Sequence, residues 1–298
     1  MPKTLSIVGA GRVGRAVGRR LRELGWRIGV VSGRTLASAR RGVQFIGAGR
    51  GLAGITSELA ASSTILLTVP DDAITRVAAD LARVAGETLR GKVVLHASGA
   101  MGAEVLASVK ACGAHIGSMH PLQTFSGTNY PPLEGRVFAI EGDVNAVQTA
   151  RAIARTLGGI PHSIAGAKKP LYHAAGAFAS GHVLALEETG VQILMSTGMR
   201  RSEAVRALVA LTRQMLENYE KLGAQKAWTD PLSRGDYGVV TMHEEALAEY
   251  FPEFLETYQA LCGQAGRVLS PDPEAVLNEL NGISTSLRIL TKAKGEPA

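Results

Sequence analysis

The stretch TLSIVGAGRVGRAVGRRLRELG, residues 4–25, decides the fold class of this chain. It begins with a short apolar run typical of a buried strand and continues with apolar residues at helical spacing. Between the two parts, Gly9, Gly11 and Gly14 follow the spacing G-x-G-x-x-G. That spacing means little alone in a chain with 35 glycines, but here it joins a strand to a helix at the start of a βαβ unit. The stretch therefore predicts a dinucleotide-binding turn.

Each glycine of this turn has a separate physical role. Gly9 allows the tight turn, Gly11 lets the backbone approach a pyrophosphate, and Gly14 lets the helix pack against the strand. The N-terminus of the helix offers free N–H groups and the positive end of its dipole to phosphate. We expect the intervening residues to line the cofactor as well: Ala10, Arg12 and Val13. The alternative is a glycine-rich turn without a ligand.

The end of the second predicted strand indicates which dinucleotide binds. NAD enzymes place an acidic residue there to bind the ribose 2′-hydroxyl. This chain instead has Ser32, Gly33, Arg34 and Thr35, with no acid nearby. A guanidinium can hold a 2′-phosphate with two hydrogen bonds, and the hydroxyls can add to it. The sequence therefore favours NADP(H) over NAD(H).

Strand-like and helix-like segments alternate through the first half of the chain. Predicted strands span 4–10, 27–33, 43–47 (weakly), 64–70, 92–98, 114–119, 136–142 and 160–164. Predicted helices between them include 12–24, 71–85, 102–112 and 143–157. This alternation predicts an α/β domain with a doubly wound parallel sheet.

After about residue 165 the pattern becomes helical almost to the end. We therefore predict a nucleotide-binding Rossmann-type domain over 1–165 and an all-α domain over 166–298. Pro170 suits the first turn of a helix, and Asp272 before Pro273 marks another helix start. Thr241 and Glu244 have the spacing of a capping box.

Composition and charge narrow the class of partner. Apolar residues make up 46% of the chain and charged residues 19%, as in ordinary globular proteins. Residues 1–50 carry eleven Lys or Arg against one acid, yet only 5% of the chain is aromatic. This basic, glycine-rich end favours a small polyanion over nucleic acid. With no leader, no membrane span and no metal-type cysteine spacing, we expect a cytoplasmic protein without a metal.

Ligands of open α/β sheets bind beyond the carboxyl ends of the strands. Two strand ends should therefore line the rest of the cofactor. Val69, Pro70 and Asp71 come at the end of the fourth predicted strand, with Asp71 also able to cap the next helix. Ser98 and Gly99 follow the next strand, where a small residue would let nicotinamide lie flat.

The candidate chemistry lies in two further segments. In GSMHPLQTF, residues 117–125, the groups His120, Gln123 and Thr124 come just past a strand end, where nicotinamide and substrate should meet. Tyr172 and His173 lie in the first turn of the long helical stretch. Histidine suits proton transfer because its ordinary pKa lies near working pH. We take His120, Tyr172 and His173 as candidate catalytic groups, the alternative being buried rings bonded to local carbonyls.

A break between two predicted helices, with SRGD at 233–236, offers a substrate anchor. Arg234 is suited to hold a carboxylate, and Asp236 to orient it or to cap the following helix.

The motifs IVGAGRVG, VPDDAI, HASG, HPLQTF, KPLYHAA and SRGD occur in this order along the chain. Together they resemble a group of Rossmann-like proteins whose C-terminal half is a domain of unknown function. That group is related to the superfamily of 6-phosphogluconate dehydrogenase, pyrroline-5-carboxylate reductase and prephenate dehydrogenase. The resemblance implies a helical C-terminal domain like that of 6-phosphogluconate dehydrogenase, a homodimer formed through it, and an NADP-type cofactor. It implies no particular substrate.

One departure from that superfamily concerns its β-hydroxyacid dehydrogenase branch. That branch carries a catalytic Lys, followed four residues later by Asn, at the start of the long helix. Here Tyr172 follows Lys168 at that spacing, and His173 follows Lys169. The lysine–asparagine mechanism is therefore not carried over to this chain.

Two functions from different classes fit these patterns. The first is an NADP(H)-dependent oxidoreductase acting on a small polar substrate, either a 2-oxo or hydroxy acid or an imine. The second is an NADP(H)-binding sensor or scaffold without chemistry. A sensor needs the glycine turn and Arg34 but no polar cluster beside nicotinamide, so the cluster at His120 favours the enzyme.

Overall fold

The computed structural model describes residues 3–126 and 130–294, with side chains described as far as residue 283. The chain divides into two compact units, Met1–Ser180 and Gly181–Ala298. The predicted boundary near residue 165 marks where the strands end. The compact units divide later because the helix over Lys169–Ala177 packs within the first unit.

The first unit is built on an eight-stranded sheet. Its strands are β1 (Thr4–Val8), β2 (Arg27–Gly33), β3 (Arg50–Ala53), β4 (Thr64–Leu67), β5 (Val93–His96), β6 (His115–Pro121), β7 (Val137–Gly142) and β8 (Ile160–Ser163). Their order across the sheet is β3-β2-β1-β4-β5-β6-β7-β8. The first six strands are parallel, β7 pairs antiparallel with β6, and β8 is parallel to β7.

The reversal at β7 follows from its connection. Parallel neighbours need a crossover, usually helical, whereas a chain that turns straight back pairs antiparallel. The described parts of the connection, 122–126 and 130–136, contain no helix. The two strands come very close at Gly142, which has a φ of +130°. A Cβ there would lie 2.4 Å from the Cα of Gly117, so this pairing requires glycine.

Helices cover both faces of the sheet. They are α1 (Arg12–Glu23), α2 (Leu36–Ile46), α3 (Asp71–Ala85), α4 (Ala107–Ala111), α5 (Val144–Thr156) and α6 (Lys169–Ala177). Strand residues alternate between two apolar cores. Leu66 packs in the core shared with α1 and α5, and its neighbours Ile65 and Leu67 pack in the core shared with α3. The predicted doubly wound α/β fold is confirmed.

Two local predictions were wrong in this unit. Residues 43–47 are not a strand but the end of α2, in which Ala39, Gly42 and Ile46 are buried at helical spacing. The third strand is instead Arg50–Ala53, whose sequence RGLA carries little strand signal. The predicted helix 102–112 begins as a 3₁₀ turn at Ala103–Leu106 and only then becomes α4.

The second unit is helical in the part of the chain that is described. After a π-helical turn at Phe178–His182, its helices are α7 (Val183–Ser196), α8 (Arg201–Leu222), α9 (Ala224–Ala227), α10 (Tyr237–Tyr250), α11 (Pro252–Leu269) and α12 (Pro273–Lys294). A small core includes Val240 and Leu280. No helix in the described part of the chain combines the length and apolar character needed to cross a membrane.

Helix starts were predicted with mixed success. Pro170 lies in the first turn of α6, and the Asp272 carboxylate accepts a hydrogen bond of 3.1 Å from the Ala275 amide at the start of α12. Thr241, however, lies inside α10, where its hydroxyl donates to the Tyr237 carbonyl. The predicted capping box at Thr241 was therefore wrong, because the helix begins four residues earlier.

Candidate functional site

The glycine turn between β1 and α1 packs directly against Thr68, which follows β4. The Thr68 hydroxyl donates a 2.6 Å hydrogen bond to the Gly9 carbonyl. Gly9 has a φ of +97°, and a Cβ on it would lie 2.6 Å from the Thr68 carbonyl oxygen. A Cβ on Gly14 would lie 2.3 Å from the Thr68 hydroxyl and 2.5 Å from the Gly9 carbonyl. Both glycines are therefore required by packing within the chain.

Gly11 is different, because packing does not explain it. Among the described residues, a Cβ on Gly11 would meet only the Thr68 carbonyl oxygen, at an ordinary 3.8 Å. Gly11 is exposed and precedes α1, which none of the described side chains caps. The first-turn amides of α1 therefore face an open, uncapped edge, which suits a phosphate group.

The end of β2 presents Arg34 and Thr35 at the surface. The Thr35 hydroxyl accepts a 3.2 Å hydrogen bond from the Ser38 amide and so caps α2, while its own proton can still be donated. Ser32 is buried, and its hydroxyl donates a short hydrogen bond to the Gly54 carbonyl. The structure thus gives Ser32 a role in holding the edge of the sheet, and leaves Arg34 and Thr35 as the groups open to a 2′-phosphate.

The segments after β4 and β5 are tied together by side chains. The Ser98 hydroxyl donates to the Asp71 carboxylate over 2.7 Å and accepts from the amides of Ala100 and Met101. Asp71 is the first residue of α3 and not its cap, since Pro70 occupies the N-cap position. Val69, just before Pro70, is partly buried against the apolar core. Ser98 and Asp71 therefore brace the turn that carries Gly99.

The three candidate catalytic residues meet at the end of β6. The Tyr172 hydroxyl lies 3.0 Å from Nδ1 of His120, and the His173 ring stands edge-on to the His120 ring with centroids 5.8 Å apart. His120 comes from β6, whereas Tyr172 and His173 come from α6. Two segments far apart in sequence thus form one cluster of ionisable rings.

Gly99 lies against this cluster. A Cβ at Gly99 would lie 2.6 Å from Cδ2 of His173 and 2.9 Å from Nε2 of His120. The glycine is needed because the two imidazole rings already occupy the space beside it. Packing within the chain is thus one reason for a glycine at this position. That its small size also lets a nicotinamide lie flat stays a prediction.

Behind the cluster lies a buried lysine. The side chain of Lys169 is fully buried, and its ammonium donates to the Ser98 carbonyl over 2.8 Å and to the Ser118 hydroxyl over 2.6 Å. Ser118 in turn donates to the Glu141 carboxylate over 2.7 Å. A buried charge is tolerated only with such partners.

Burial sets the charge states of the site. The pKa of His120 is lowered to about 4 by burial, with repulsion from Lys169 and His173 adding to it. Burial also raises the pKa of Tyr172 to about 12 and lowers the pKa of Lys169 to about 8, against the attraction of nearby carboxylates. At neutral pH the site therefore presents a neutral imidazole and a neutral phenol beside a buried ammonium.

The fully buried His96 hydrogen-bonds to the turn that carries Gly99. Its Nε2 lies 3.1 Å from the Gly102 carbonyl, and its Nδ1 accepts a hydrogen bond from the Ser98 amide. Burial, followed by repulsion from Lys169, lowers the pKa of His96 to about 4. A neutral ring with the proton on Nε2 satisfies both contacts.

The loop after β6 is held to its neighbours. Arg12 in the glycine turn donates to the Phe125 carbonyl over 3.2 Å. The side-chain amide of Gln123 donates to the Pro132 carbonyl and accepts a hydrogen bond from the backbone N–H of the exposed Thr124. In the structure Gln123 braces its own loop, and the substrate contacts of Gln123 and Thr124 stay predictions.

Arg234 and Asp236 lie in the second unit and bind each other. Nε of Arg234 donates to the Asp236 carboxylate over 3.0 Å, and Nη1 donates to the Thr229 carbonyl. Asp236 stands at the N-cap position of α10, but its side chain makes no capping hydrogen bond with the described residues. Their role as a substrate anchor stays a prediction.

Two protein families match adjoining parts of this chain. A Rossmann-like domain matches residues 2–121, and a domain of unknown function, DUF2520, matches residues 136–265. The chain joins a Rossmann-like domain to a DUF2520 domain. No curated protein matches the sequence.

Solved structures resemble the chain over most of its length. A Bacteroides fragilis protein provisionally described as an NADP oxidoreductase is 21% identical, with a TM-score of 0.71 over 87% of this chain and 96% of its own. A Thermotoga maritima protein is 23% identical, with a TM-score of 0.66 over 95% and 99%. The reductive aminase of Aspergillus terreus, solved with NADPH and ethyl-5-oxohexanoate, is 20% identical, with a TM-score of 0.60 over 97% and 94%. At these identities the likeness shows a shared fold.

Sequence reasoning missed the polar groups of the first unit that converge behind the cluster. His96, Ser118 and Glu141 lie in strands that were predicted, but nothing in their local sequence shows that they converge. Lys169 was set aside because it lacked a following asparagine. Only the fold shows that it is buried while the adjacent Lys168 is exposed.

Experiment can distinguish the role of Gly14 from that of Gly11. We expect Gly14→Ala to lower the free energy of unfolding by about 2 kcal/mol or more, because its Cβ would collide with backbone and Thr68. Gly11→Ala should cost less than about 1 kcal/mol, since its Cβ has room. Urea unfolding measures both variants. Equal losses would contradict the packing described for Gly14.

Proposed function

We propose that this chain is an NADP(H)-dependent oxidoreductase that reduces a small polar carbonyl or imine compound. The observation that carries the proposal is the cluster of His120, Tyr172 and His173 beside Gly99. It lies at the carboxyl edge of a sheet whose first turn is a dinucleotide fingerprint, where ligands of such sheets bind.

The residues at this edge fit NADPH. The uncapped first turn of α1 and the unhindered Gly11 would hold the pyrophosphate, with Ala10, Arg12 and Val13 alongside. Arg34 and Thr35, after Gly33, would hold the 2′-phosphate. Bound there, the nicotinamide supplies a hydride. The likeness to a reductive aminase solved with NADPH supports this choice of cofactor.

The chain's own residues would supply the proton. A carbonyl or imine that accepts hydride needs a proton on its oxygen or nitrogen. Tyr172 remains protonated at neutral pH, and His120, 3.0 Å away, can hydrogen-bond to its oxygen as the proton leaves. His173 is exposed at the same cluster and is the alternative donor.

The rival function is a dinucleotide sensor or scaffold without chemistry. Such a protein needs the glycine turn and Arg34. It does not need two imidazoles and a phenol clustered at the carboxyl edge, nor a buried lysine behind them. These groups favour the enzyme, and turnover by the wild type decides between the two.

Cofactor choice gives the first test. We expect NADPH to bind at least ~10-fold more tightly than NADH, because Arg34 makes charge-assisted hydrogen bonds to the 2′-phosphate. Arg34→Ala should weaken the binding of NADPH by a similar factor and leave the affinity for NADH unchanged. Arg27→Ala, an exposed arginine at the opposite end of β2, is the matched control. Fluorescence titration measures all of these affinities, and equal binding of both nucleotides would refute the 2′-phosphate pocket.

The proton donor gives the second test. We expect His173→Gln and Tyr172→Phe to be slower in turnover, the true donor by ~10²-fold or more, with NADPH affinity retained. His162→Gln, at an exposed histidine on β8, should behave as the wild type. The assay is NADPH oxidation with a panel of cyclic imines and 2-oxo acids. If both variants match the wild type, the cluster is not catalytic.

We propose further that the helical unit forms a homodimer. The helices α7 and α8 expose many large apolar side chains: Leu184, Leu186, Met195, Val205, Val209, Leu211, Met215, Leu216, Tyr219 and Leu222. Soluble monomers rarely expose so many apolar groups together. The same surface on a second copy is its natural partner in a two-fold dimer.

The dimer can be tested by placing charged side chains in its proposed interface. We expect the double variant Leu184→Glu and Leu211→Glu to be monomeric, because each side chain is about two thirds exposed on one chain and would be buried in the dimer. Val144→Glu, at an exposed position of α5, should remain dimeric. Light scattering coupled to size exclusion gives the mass. A monomeric wild type at micromolar concentration would refute the dimer.

A further inference from the structure

One buried ammonium connects the three segments that form the candidate site. Lys169 donates to the Ser98 carbonyl, directly before Gly99 in the turn after β5. It also donates to Ser118 in β6, two residues before His120. Lys169 itself is in α6, one turn before Tyr172 and His173. Its two hydrogen bonds thus set how the turn, the strand and the helix lie relative to one another.

We propose that Lys169 is the positioning residue of this site, holding His120, Tyr172 and His173 in register beside Gly99 and acting on the His120 ring through its charge. This inference rests on the proposed function for its catalytic meaning. Its structural content, the link between three segments and the electrostatic effect on His120, stands without it.

Stability alone does not explain a charge at this position. Taking an ammonium out of water costs several kcal/mol, and apolar groups of similar volume often serve a core equally well. The ammonium is nevertheless fully buried, and Ser118 and Glu141 continue its hydrogen bonds. Burial energetics alone therefore do not account for a lysine here, and its role lies in the site.

The charges around His120 and Lys169 come from every element packed there. Lys169, Tyr172 and His173 belong to α6, His96 to β5, Glu141 to β7, Asp71 to α3, and Glu104 to the turn after β5. The carboxylates attract Lys169, while Lys169 repels a proton from both His120 and His96. Removing the ammonium therefore raises the pKa of His120 from about 4 toward its ordinary value, and burial keeps it below that value.

The test is Lys169→Met in the full-length protein, with Lys168→Met as the matched control at the adjacent exposed lysine. Three quantities are measured: NADPH affinity by fluorescence, turnover with cyclic imines and 2-oxo acids, and the histidine titration by NMR. His120→Gln identifies the His120 signal. We expect Lys169→Met to lose ~10-fold or more in turnover, because small displacements of reacting groups are costly. NADPH affinity should stay within about twofold, since the ammonium bonds to Ser98 and Ser118 and not to the glycine turn or Arg34.

The NMR titration separates positioning from mere stability and does not need turnover. We expect the His120 midpoint to move upward in Lys169→Met and to stay in place in Lys168→Met. An unchanged midpoint together with unchanged turnover would overturn the proposal. If the wild type binds no NADPH or turns nothing over, the proposed function fails, and the His120 midpoint alone then decides whether Lys169 acts on the site.

A second variant covers the case in which Lys169→Met does not fold. Ser118→Ala keeps the ammonium but removes its bond to β6. We expect slower turnover with little change in the His120 midpoint, since the charge remains. Turnover equal to that of the wild type in Ser118→Ala would overturn the positioning role.

Discussion

The contact between the glycine turn and Thr68 is the constraint on which the rest of the Rossmann-like domain depends. Gly9 and Gly14 have no space for a Cβ because the Thr68 backbone and hydroxyl occupy it. This contact brings the start of α1 against the end of β4 and leaves Gly11 free at the edge. The helix N-terminus, the end of β2 and the turns after β4 and β5 therefore share one edge of the sheet.

A second constraint is the pairing of buried polar and charged groups. The turn after β5, the strand β6 and the helix α6 meet around polar groups buried among apolar ones, and each such group must have a partner. His96, Ser98 and Ser118 supply those partners for Lys169 and for one another. Because these groups hydrogen-bond to one another, the network can hold an ammonium next to a neutral imidazole. In water, solvent would compete for the same hydrogen bonds.

Much of the fold followed from periodicity and turn chemistry. The strands β1, β2 and β6 and the helices α1 and α3 lie where the pattern places them, because both faces of the sheet are apolar and each helix has one apolar side. The third strand escaped prediction, since RGLA gains its place by pairing with β2 and not by propensity. Strand β7 was predicted, but its antiparallel direction was not, because strand direction depends on the path of the connection.

For the candidate site, the sequence by itself determined the glycine turn after β1, the lack of an acid after β2, and the polar residues just past the strand ends. These are local features, whose chemistry is carried by neighbouring residues. Only the tertiary structure decided that His120 meets Tyr172 and His173, that Gly99 makes room for their rings, and that Lys169 is buried while Lys168 is exposed. Such pairings join residues far apart in sequence, 52 positions for His120 and Tyr172. Burial depends on which face of a helix packs on the sheet, so no local pattern could contain either feature.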